Sequence, residues 1–172
     1  MPSQRASGRS TPIGQLTRMA YPPAEWALLV RLPARVMIAA TSAEADRPRR
    51  TVAEGLAGMG AIAAGRASDS DLVRAVVAAI YARSEDDQPV AEEFTDRAAG
   101  LAEVLAACEA ATGVLAARAD PADSAAYRQW LQSIAARVCG ASRSGGMLGI
   151  GGDRFSAAER RFLADLRDAL SL

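Results

Sequence analysis

The sequence predicts an all-α protein, folded as a single compact bundle of about six or seven helices. Half of the residues are hydrophobic but only 5% are aromatic, because much of the apolar content is alanine. Alanine has the highest helix propensity, and small side chains let helices approach each other closely. Apolar residues also recur at helical spacing behind recognisable helix starts. A chain of 172 residues is long enough for one domain with a sizeable core.

The N-terminal stretch differs in composition from the rest of the chain. Residues 1–20 are rich in Ser, Thr, Gly and Arg, and residues 1–24 carry Arg5, Arg9 and Arg18 but no acidic residue. We expect residues 1–20 to form a flexible basic arm and residues 21–172 to form the single helical domain. A transit peptide is the alternative interpretation of an arginine- and serine-rich, acid-free N-terminus.

Helix signals in the first half of the chain begin at Pro23, a residue suited to the first turn. Pro33 predicts an end or a kink, with a second helix following it. The segment Thr51-Val-Ala-Glu54 matches a capping box, and it predicts the start of a helix that carries Leu56, Met59 and Ile62. Ser68-Asp-Ser-Asp71 opens the next helix.

The second half carries three further helical patterns. The first runs from Val90 to Arg118, where Gly100 and Gly113 either break the helix or mark close helix contacts. The second starts at Asp120-Pro121, an aspartate cap followed by a first-turn proline. The third starts at the capping box Ser156-Ala-Ala-Glu159.

The residue inventory excludes several chemistries. All 20 basic residues are arginine, and the chain has no lysine and no histidine. Schiff-base lysine chemistry, a P-loop lysine and histidine catalysis or metal ligation are therefore excluded. Cys108 and Cys139 are predicted to be buried free thiols. We expect a protein that is not an enzyme and has no cofactor, with carboxylate and arginine catalysis as the minor alternative.

The charge and hydropathy of the chain limit the classes of partner that we expect it to bind. The chain has no run of 18 or more apolar residues, so no membrane span is predicted. No secretory signal is evident either, and we therefore expect a cytoplasmic location. The chain beyond residue 24 keeps 17 of the 20 arginines against 20 acidic residues, which makes nucleic acid an unlikely partner. The expected partner is another protein or further copies of the chain.

A glycine-rich loop, Gly145 to Arg154, is the most informative local feature. It carries the apolar residues Met147, Leu148 and Ile150 and ends at Arg154. Three interpretations of the loop stay open: it is pinned onto the bundle, it forms a phosphate-binding site at a helix start, or it presents its apolar residues to a partner.

A basic cluster, formed by Arg47, Arg49 and Arg50, is a second candidate. It is either a solvated surface or a docking site for an acidic partner.

Segments near both tryptophans and the glycine loop carry a family resemblance. Trp26-Ala-Leu-Leu, Trp130-Leu-Gln-x-Ile-Ala-x-Arg-Val and Gly145-Gly-Met-Leu-Gly-Ile-Gly-Gly-Asp-Arg-Phe-Ser-x-x-Glu are similar to an uncharacterised family of small bacterial all-helical proteins. The resemblance covers most of the chain past residue 20 in outline. It implies a helical fold and no particular activity.

The paired helix–loop–helix layout also resembles tellurite-resistance B-type domains, more remotely. Those domains use acidic residues in two such loops and have been linked to metal binding. The positions that match here are Asp46, Glu54, Asp153 and Glu159. The resemblance implies weak candidate metal ligands at these four residues.

These observations favour a non-enzymatic interaction, adaptor or assembly component that acts through protein contacts. The alternative is a module of the tellurite-resistance type that binds a small ligand or a divalent metal and is related to stress.

Overall fold

The chain folds entirely into helices over the residues that the structure describes. The computed structural model describes residues 13–44, 51–83, 96–141 and 155–172. These ranges contain seven α-helices and one 3-10 turn, and no strand occurs in them, which confirms the predicted fold class. The elements are α1 (Ile13–Met19), α2 (Pro23–Ser42), α3 (Thr51–Ala64), the 3-10 turn Gly65–Ala67, α4 (Asp71–Tyr81), α5 (Arg97–Arg118), α6 (Pro121–Ala141) and α7 (Ala157–Ala169).

Helices α2 and α6 pack against each other at the centre of the bundle. Helix α3 packs on α6 and α2, α5 packs mainly on α2, and α7 packs on α5 and α6. Both tryptophans contribute to the core, since Trp26 on α2 and Trp130 on α6 are buried. Helices α3 and α7 each follow one of the two central helices in the chain and pack on it.

Helix α2 is continuous through Pro33, so the prediction of two separate helices is wrong. A proline inside a helix removes the N–H that would bond the carbonyl four residues earlier, here that of Leu29. The Tyr127 hydroxyl donates to the Leu29 carbonyl oxygen at 2.7 Å, and both residues are fully buried. A side chain from α6 therefore supplies the donor that Pro33 lacks.

Side chains cap the starts of three helices; the caps at α4 and α6 lie at predicted helix starts, whereas the predicted pattern from Val90 to Arg118 did not mark the start of α5 at Arg97. Asp96 caps α5 by accepting from the N–H groups of Ala98 and Ala99. Asp120 accepts from the Ala122 N–H at the start of α6. Ser70 caps α4, and its hydroxyl donates to Asp123 at 2.6 Å, which joins the starts of α4 and α6. These bonds satisfy N–H groups that have no partner inside their own helix.

Two glycines on the inner side of the α3 segment allow close helix crossings. A Cβ built at Gly58 would lie 2.6 Å from Met37 Sδ and 3.0 Å from Val138 Cγ2. A Cβ built at Gly65 would lie 2.8 Å from Val77 Cγ2 and 2.9 Å from Trp130 Cε2. Neither position has room for a side chain, because protein interiors are closely packed.

Residues 13–19, which fall within the expected arm, form the short helix α1. This helix packs against α4, with Gly14 close to Ala75. It is short and carries only Ile13, Leu16 and Met19 as large apolar residues, so its sequence pattern is weak.

Candidate functional site

Most of the residues proposed from the sequence as interaction or metal sites lie outside the described ranges. They are Asp46, Arg47, Arg49 and Arg50 before α3, and Met147, Leu148, Ile150, Asp153 and Arg154 before α7. The side chain of Thr51 is also outside the described set, so the capping box predicted there stays a prediction. Glu54 and Glu159 are described, and both are buried.

Glu159 lies in the first turn of α7 and completes the predicted capping box. The Glu159 backbone N–H donates to Ser156 Oγ at 3.1 Å. The Ser156 backbone N–H donates back to Glu159 Oε2 at 2.6 Å. Only 3% of the Glu159 side chain is exposed. The capping box therefore holds one carboxylate oxygen of a buried glutamate in a fixed place.

Glu54 and Glu159 approach the same cysteine. Cys139 lies near the end of α6, is buried and is not in a disulfide. Burial raises the pKa of the Cys139 thiol to about 12, and the carboxylates of Glu159 and Glu54 act in the same direction. The starts of α3 and α7 thus place two acidic side chains around the C-terminal part of α6.

These three side chains form an acidic cluster, defined as Glu54, Cys139 and Glu159. The described ranges contain no group of three or more His, Cys, Asp or Glu side chains arranged to hold a metal ion. A thiol with a pKa of about 12 is protonated at neutral pH, whereas thiolate is the form that binds metals. The donors that the described cluster offers are therefore carboxylate oxygens from Glu54 and Glu159.

The outward side of α3 carries no charge. Val52, Leu56 and Met59 are 68%, 61% and 52% exposed, and the small residues Ala53 and Gly60 are also exposed. We name this surface the α3 outer face, defined by Val52, Ala53, Leu56, Met59, Gly60, Ala63 and Ala64. The only charged residue of the helix, Glu54, lies on the opposite, buried side.

This arrangement reverses the usual order of an amphipathic helix, in which charged residues face water. Each of the other six described α-helices has at least one charged side chain that is exposed or partly exposed; examples are Arg18, Arg31, Arg74, Glu103, Arg137 and Arg160. Contiguous exposed apolar surface marks interaction sites more often than isolated apolar residues do. The α3 outer face is therefore the candidate functional surface in the described part of the chain.

This surface is not among the sites predicted from the sequence, although a signal is present there. Residues 55–65 contain no charged or polar side chain, so no rotation of the helix could turn a polar face to the solvent. The sequence pattern groups Leu56 and Met59 with Ile62 as one apolar set, but the structure buries only Ile62. Leu56 and Met59 therefore lie on the outer side of the helix, and Ile62 lies on the inner side.

One described helix, α5, is long and apolar enough to cross a membrane by length and composition. A core helix of a soluble protein passes the same test, so this is weak evidence for a membrane span.

A scan of protein-family models, a search of curated proteins and a search of solved structures each found no match for the chain.

Proposed function

We propose that the protein is a non-enzymatic cytoplasmic interaction or assembly component that acts through the α3 outer face. One observation carries this proposal: α3 buries its only charge and exposes Val52, Leu56 and Met59. A monomer gains nothing from that orientation, since apolar surface in water is unfavourable by roughly 25 cal/mol per Å². A partner that covers the face recovers this free energy.

The residue inventory supports the non-enzymatic part of the proposal. The chain offers no histidine or lysine for acid–base or nucleophilic chemistry. Burial raises the pKa of the Cys108 thiol to about 12, and that of Cys139 to about 12 as well. Neither thiol supplies a reactive thiolate at neutral pH, because reactivity follows the thiolate fraction.

The test is native mass spectrometry of the protein isolated from its own host, with two matched variants. Leu56→Glu/Met59→Glu places two charges on the α3 outer face, and glutamate keeps a helix propensity close to that of leucine and methionine. Ala99→Glu/Ala102→Glu adds the same two charges at the same spacing on exposed positions of α5. The proposal expects an assembly that the first pair abolishes and the second pair retains.

The proposal fails if both variants and the unmodified protein show the same masses. Circular dichroism of each variant serves as the control for folding. Surface substitutions of this kind usually change the free energy of unfolding by less than about 0.5 kcal/mol. A loss of the assembly in a folded variant is thus attributable to the surface.

A second candidate function rests on a separate observation, the acidic cluster. Glu54 and Glu159 lie in the first turns of the helices that follow α2 and α6 in the chain, and both raise the pKa of the Cys139 thiol electrostatically. Carboxylate oxygens suit hard divalent cations such as Mg²⁺, Ca²⁺ and Mn²⁺. This supports the divalent-metal module that the resemblance to tellurite-resistance B-type domains implies, with Asp46 and Asp153 as the further ligands expected from the sequence.

Calorimetric titration with Mg²⁺, Ca²⁺ and Mn²⁺ tests the second candidate. The expected result is saturable binding that is weakened at least about tenfold, or about 1.4 kcal/mol, in Glu54→Gln/Glu159→Gln. Glu109→Gln, an exposed glutamate on α5, is the control and should bind as the unmodified protein does. No heat of binding, or equal binding by both variants, would remove this candidate.

A further inference from the structure

The proposed function leaves open which partner covers the α3 outer face. Resting on that function, we propose that the partner is a helix of a different protein, with an apolar stripe that packs on this face and a carboxylate that pairs with Arg66. Arg66 is exposed, and it directly follows α3 in the 3-10 turn Gly65–Ala67. It places a positive charge at one end of the uncharged face, and this charge selects the partner.

Close packing of the 3-10 turn on α4 positions Arg66. A Cβ built at Gly65 would lie 2.8 Å from Val77 Cγ2, so the turn lies directly against α4. Tyr81 follows Val77 by one helical turn and lies on the same side of α4. The Arg66 guanidinium lies over the Tyr81 ring, with Cζ 4.0 Å from the ring centroid. This attractive cation–π contact holds the guanidinium at the surface, beside the end of α3.

The stacked guanidinium still has donors to offer. Arginine carries its five N–H donors at the edge of a planar group, and a ring under the flat side of that group leaves the edge open. Within the described ranges, no carboxylate forms an ion pair with Arg66. Asp69 is exposed and close in the chain, but it makes no ion pair with Arg66, and Glu54 is buried. Arg66 can therefore bind an incoming carboxylate through two parallel hydrogen bonds.

Arg66 extends the line of exposed apolar residues on α3. Val52, Leu56 and Met59 follow one another at intervals of four and three residues, and Arg66 comes seven residues after Met59. Seven residues are about two helical turns, and the 3-10 turn continues directly from α3, so Arg66 lies on the same side as the line. A Cβ built at Gly60 would meet nothing within 4 Å, which leaves room for a second helix beside the line. A partner helix that follows this line reaches Arg66 at its end.

A second copy of this chain does not supply the charge that complements Arg66. In a parallel pair of α3 helices, the two copies of Arg66 would lie side by side. In an antiparallel pair, Arg66 would lie near the start of α3, where the helix dipole is positive and which Arg49 and Arg50 directly precede in the sequence. Both arrangements bring like charges together, which is unfavourable at an interface. The charge therefore favours a different protein that supplies a carboxylate.

The residue types around the face favour a protein partner over a lipid surface. Helices that lie on anionic membranes carry several arginines or lysines beside their apolar face. Helix α3 contains no basic residue at all. Arginine and tyrosine are, in contrast, enriched among the residues that dominate binding between proteins. Arg66 and Tyr81 are such a pair, and Tyr81 is 51% exposed.

The direction of the partner helix follows from its charge. Acidic residues are most favourable in the first turn of a helix, where the dipole is positive. The carboxylate that meets Arg66 therefore belongs to the first turn of the partner, and the partner runs antiparallel to α3. Its apolar side chains, at alternating intervals of four and three residues, then contact Met59, Leu56 and Val52 in that order.

Fluorescence anisotropy with two designed peptides tests this inference. Both peptides are alanine-rich helices of about 18 residues with leucines at alternating intervals of four and three residues. One has two glutamates in its first turn, and the other has two lysines there. The unmodified protein should bind the glutamate peptide at least about tenfold more tightly, and added salt should reduce this preference. Equal affinity for the two peptides overturns the inference.

Charge reversal on the protein assigns the preference to Arg66. Arg66→Glu should bind the lysine peptide at least as tightly as the glutamate peptide, whereas Arg161→Glu, at an exposed arginine of α7, should keep the original preference. Comparing the two proteins cancels any difference in helix propensity between the peptides. If circular dichroism shows that Arg66→Glu is unfolded, Arg66→Gln serves instead and should lower the preference. An unchanged preference in a folded Arg66 variant overturns the inference.

Further outcomes separate this inference from the proposed function. Equal binding of both peptides that is lost in Leu56→Glu/Met59→Glu keeps the α3 outer face as a binding surface and overturns the acidic partner. Binding to vesicles of phosphatidylglycerol and phosphatidylcholine in equal parts, without binding to either peptide, assigns the face to a membrane and overturns the inference. Binding to neither peptide also overturns it, and the proposed function fails as well if the host assembly survives in Leu56→Glu/Met59→Glu.

Discussion

The contact between Tyr127 and Leu29 shows how one side chain makes a mid-helix proline acceptable. Pro33 leaves the Leu29 carbonyl without its helical donor, and the Tyr127 hydroxyl donates to it at 2.7 Å in the core. A buried carbonyl without a donor costs about 1–3 kcal/mol, which is a large share of the stability of a domain. Pro33 and Tyr127 therefore act as one unit although they belong to different helices.

A double-mutant cycle tests this coupling. Tyr127→Phe should lower the free energy of unfolding by about 1–3 kcal/mol, because it leaves the Leu29 carbonyl unsatisfied. In a Pro33→Ala background the loss should be smaller by about 1 kcal/mol, since the backbone N–H that the substitution introduces donates to the same carbonyl. Denaturant unfolding of the four proteins gives the coupling energy. An equal loss in both backgrounds would show that the two residues act independently.

The two buried thiols predict how stability depends on pH. Burial raises the pKa of Cys108 and of Cys139 from 9.0 to about 12. The protonated thiols contribute fully to the free energy of unfolding below pH 9.0, and this contribution is lost as the pH rises from 9.0 toward 12. Each thiol therefore lowers the free energy of unfolding as the pH rises across that window. The chain has no lysine, so thiols and tyrosines dominate the titration there.

Denaturant unfolding at a series of pH values between about 8 and about 11 measures this slope. Stability should be nearly constant below pH 9.0 and should fall above it. Cys108→Ala/Cys139→Ala should show a shallower fall, because two titrating groups are removed. Identical slopes in the variant and in the unmodified protein would mean that other groups cause the loss of stability at alkaline pH.

At the scale of elements, glycine has opposite roles at different places. Gly65 lies against Val77 and Trp130 with no space for a Cβ, whereas Gly113 lies within α5 with open space around it. The helix propensity of alanine is higher than that of glycine at both positions, so local preference alone predicts a gain at each. At Gly65, packing decides whether a substitution to alanine raises or lowers the stability of the protein.

Gly65→Ala should therefore destabilise the protein by about 1–3 kcal/mol, through overpacking against Trp130. Gly113→Ala should stabilise it by about 0.5–1 kcal/mol, through reduced backbone freedom in the unfolded chain. Thermal unfolding of the two variants in the same buffer compares them. A gain in stability for Gly65→Ala would contradict the close crossing at this position.

The helix boundaries that the sequence predicts well are those with a local chemical cause. Asp120-Pro121 and Ser156…Glu159 mark the starts of α6 and α7 because capping involves residues only a few positions apart. The continuity of α2 through Pro33 was not predictable, because the donor that permits it comes from Tyr127, which is 98 residues from Leu29 in the chain. Helix α1 was not predictable either, since its packing against α4 outweighs a weak local pattern.

The candidate surface was predictable only in part, for a related reason. The run of uncharged residues from 55 to 65 is visible in the sequence, but it does not say which side of α3 faces the core. The glycines decide this, because Gly58 and Gly65 permit the close approach of α2, α4 and α6 on one side. The side that carries Gly58 and Gly65 is therefore the inner side, and Leu56 and Met59 are left outside.

At the scale of the molecule, the described helices combine a packed core with an uncovered apolar surface on α3. Core helices α2 and α6 bury most of their apolar residues, and side chains cap or bridge several helix ends. The α3 outer face is the exception, since it exposes apolar residues without any charge. The central claim is that this face is solvent-exposed in the isolated chain and becomes covered on association.

Methyl NMR with a soluble paramagnetic probe tests that claim most directly. Met59 and Met19 are both exposed, at 52% and 79%, but only Met59 lies on the α3 outer face. We predict that the probe broadens both methyl signals in the isolated chain, and that Met59 becomes protected in the assembly with its partner while Met19 stays broadened. A Met59 methyl that is protected even in the isolated chain, or that stays as exposed as Met19 in the assembly, would contradict the claim.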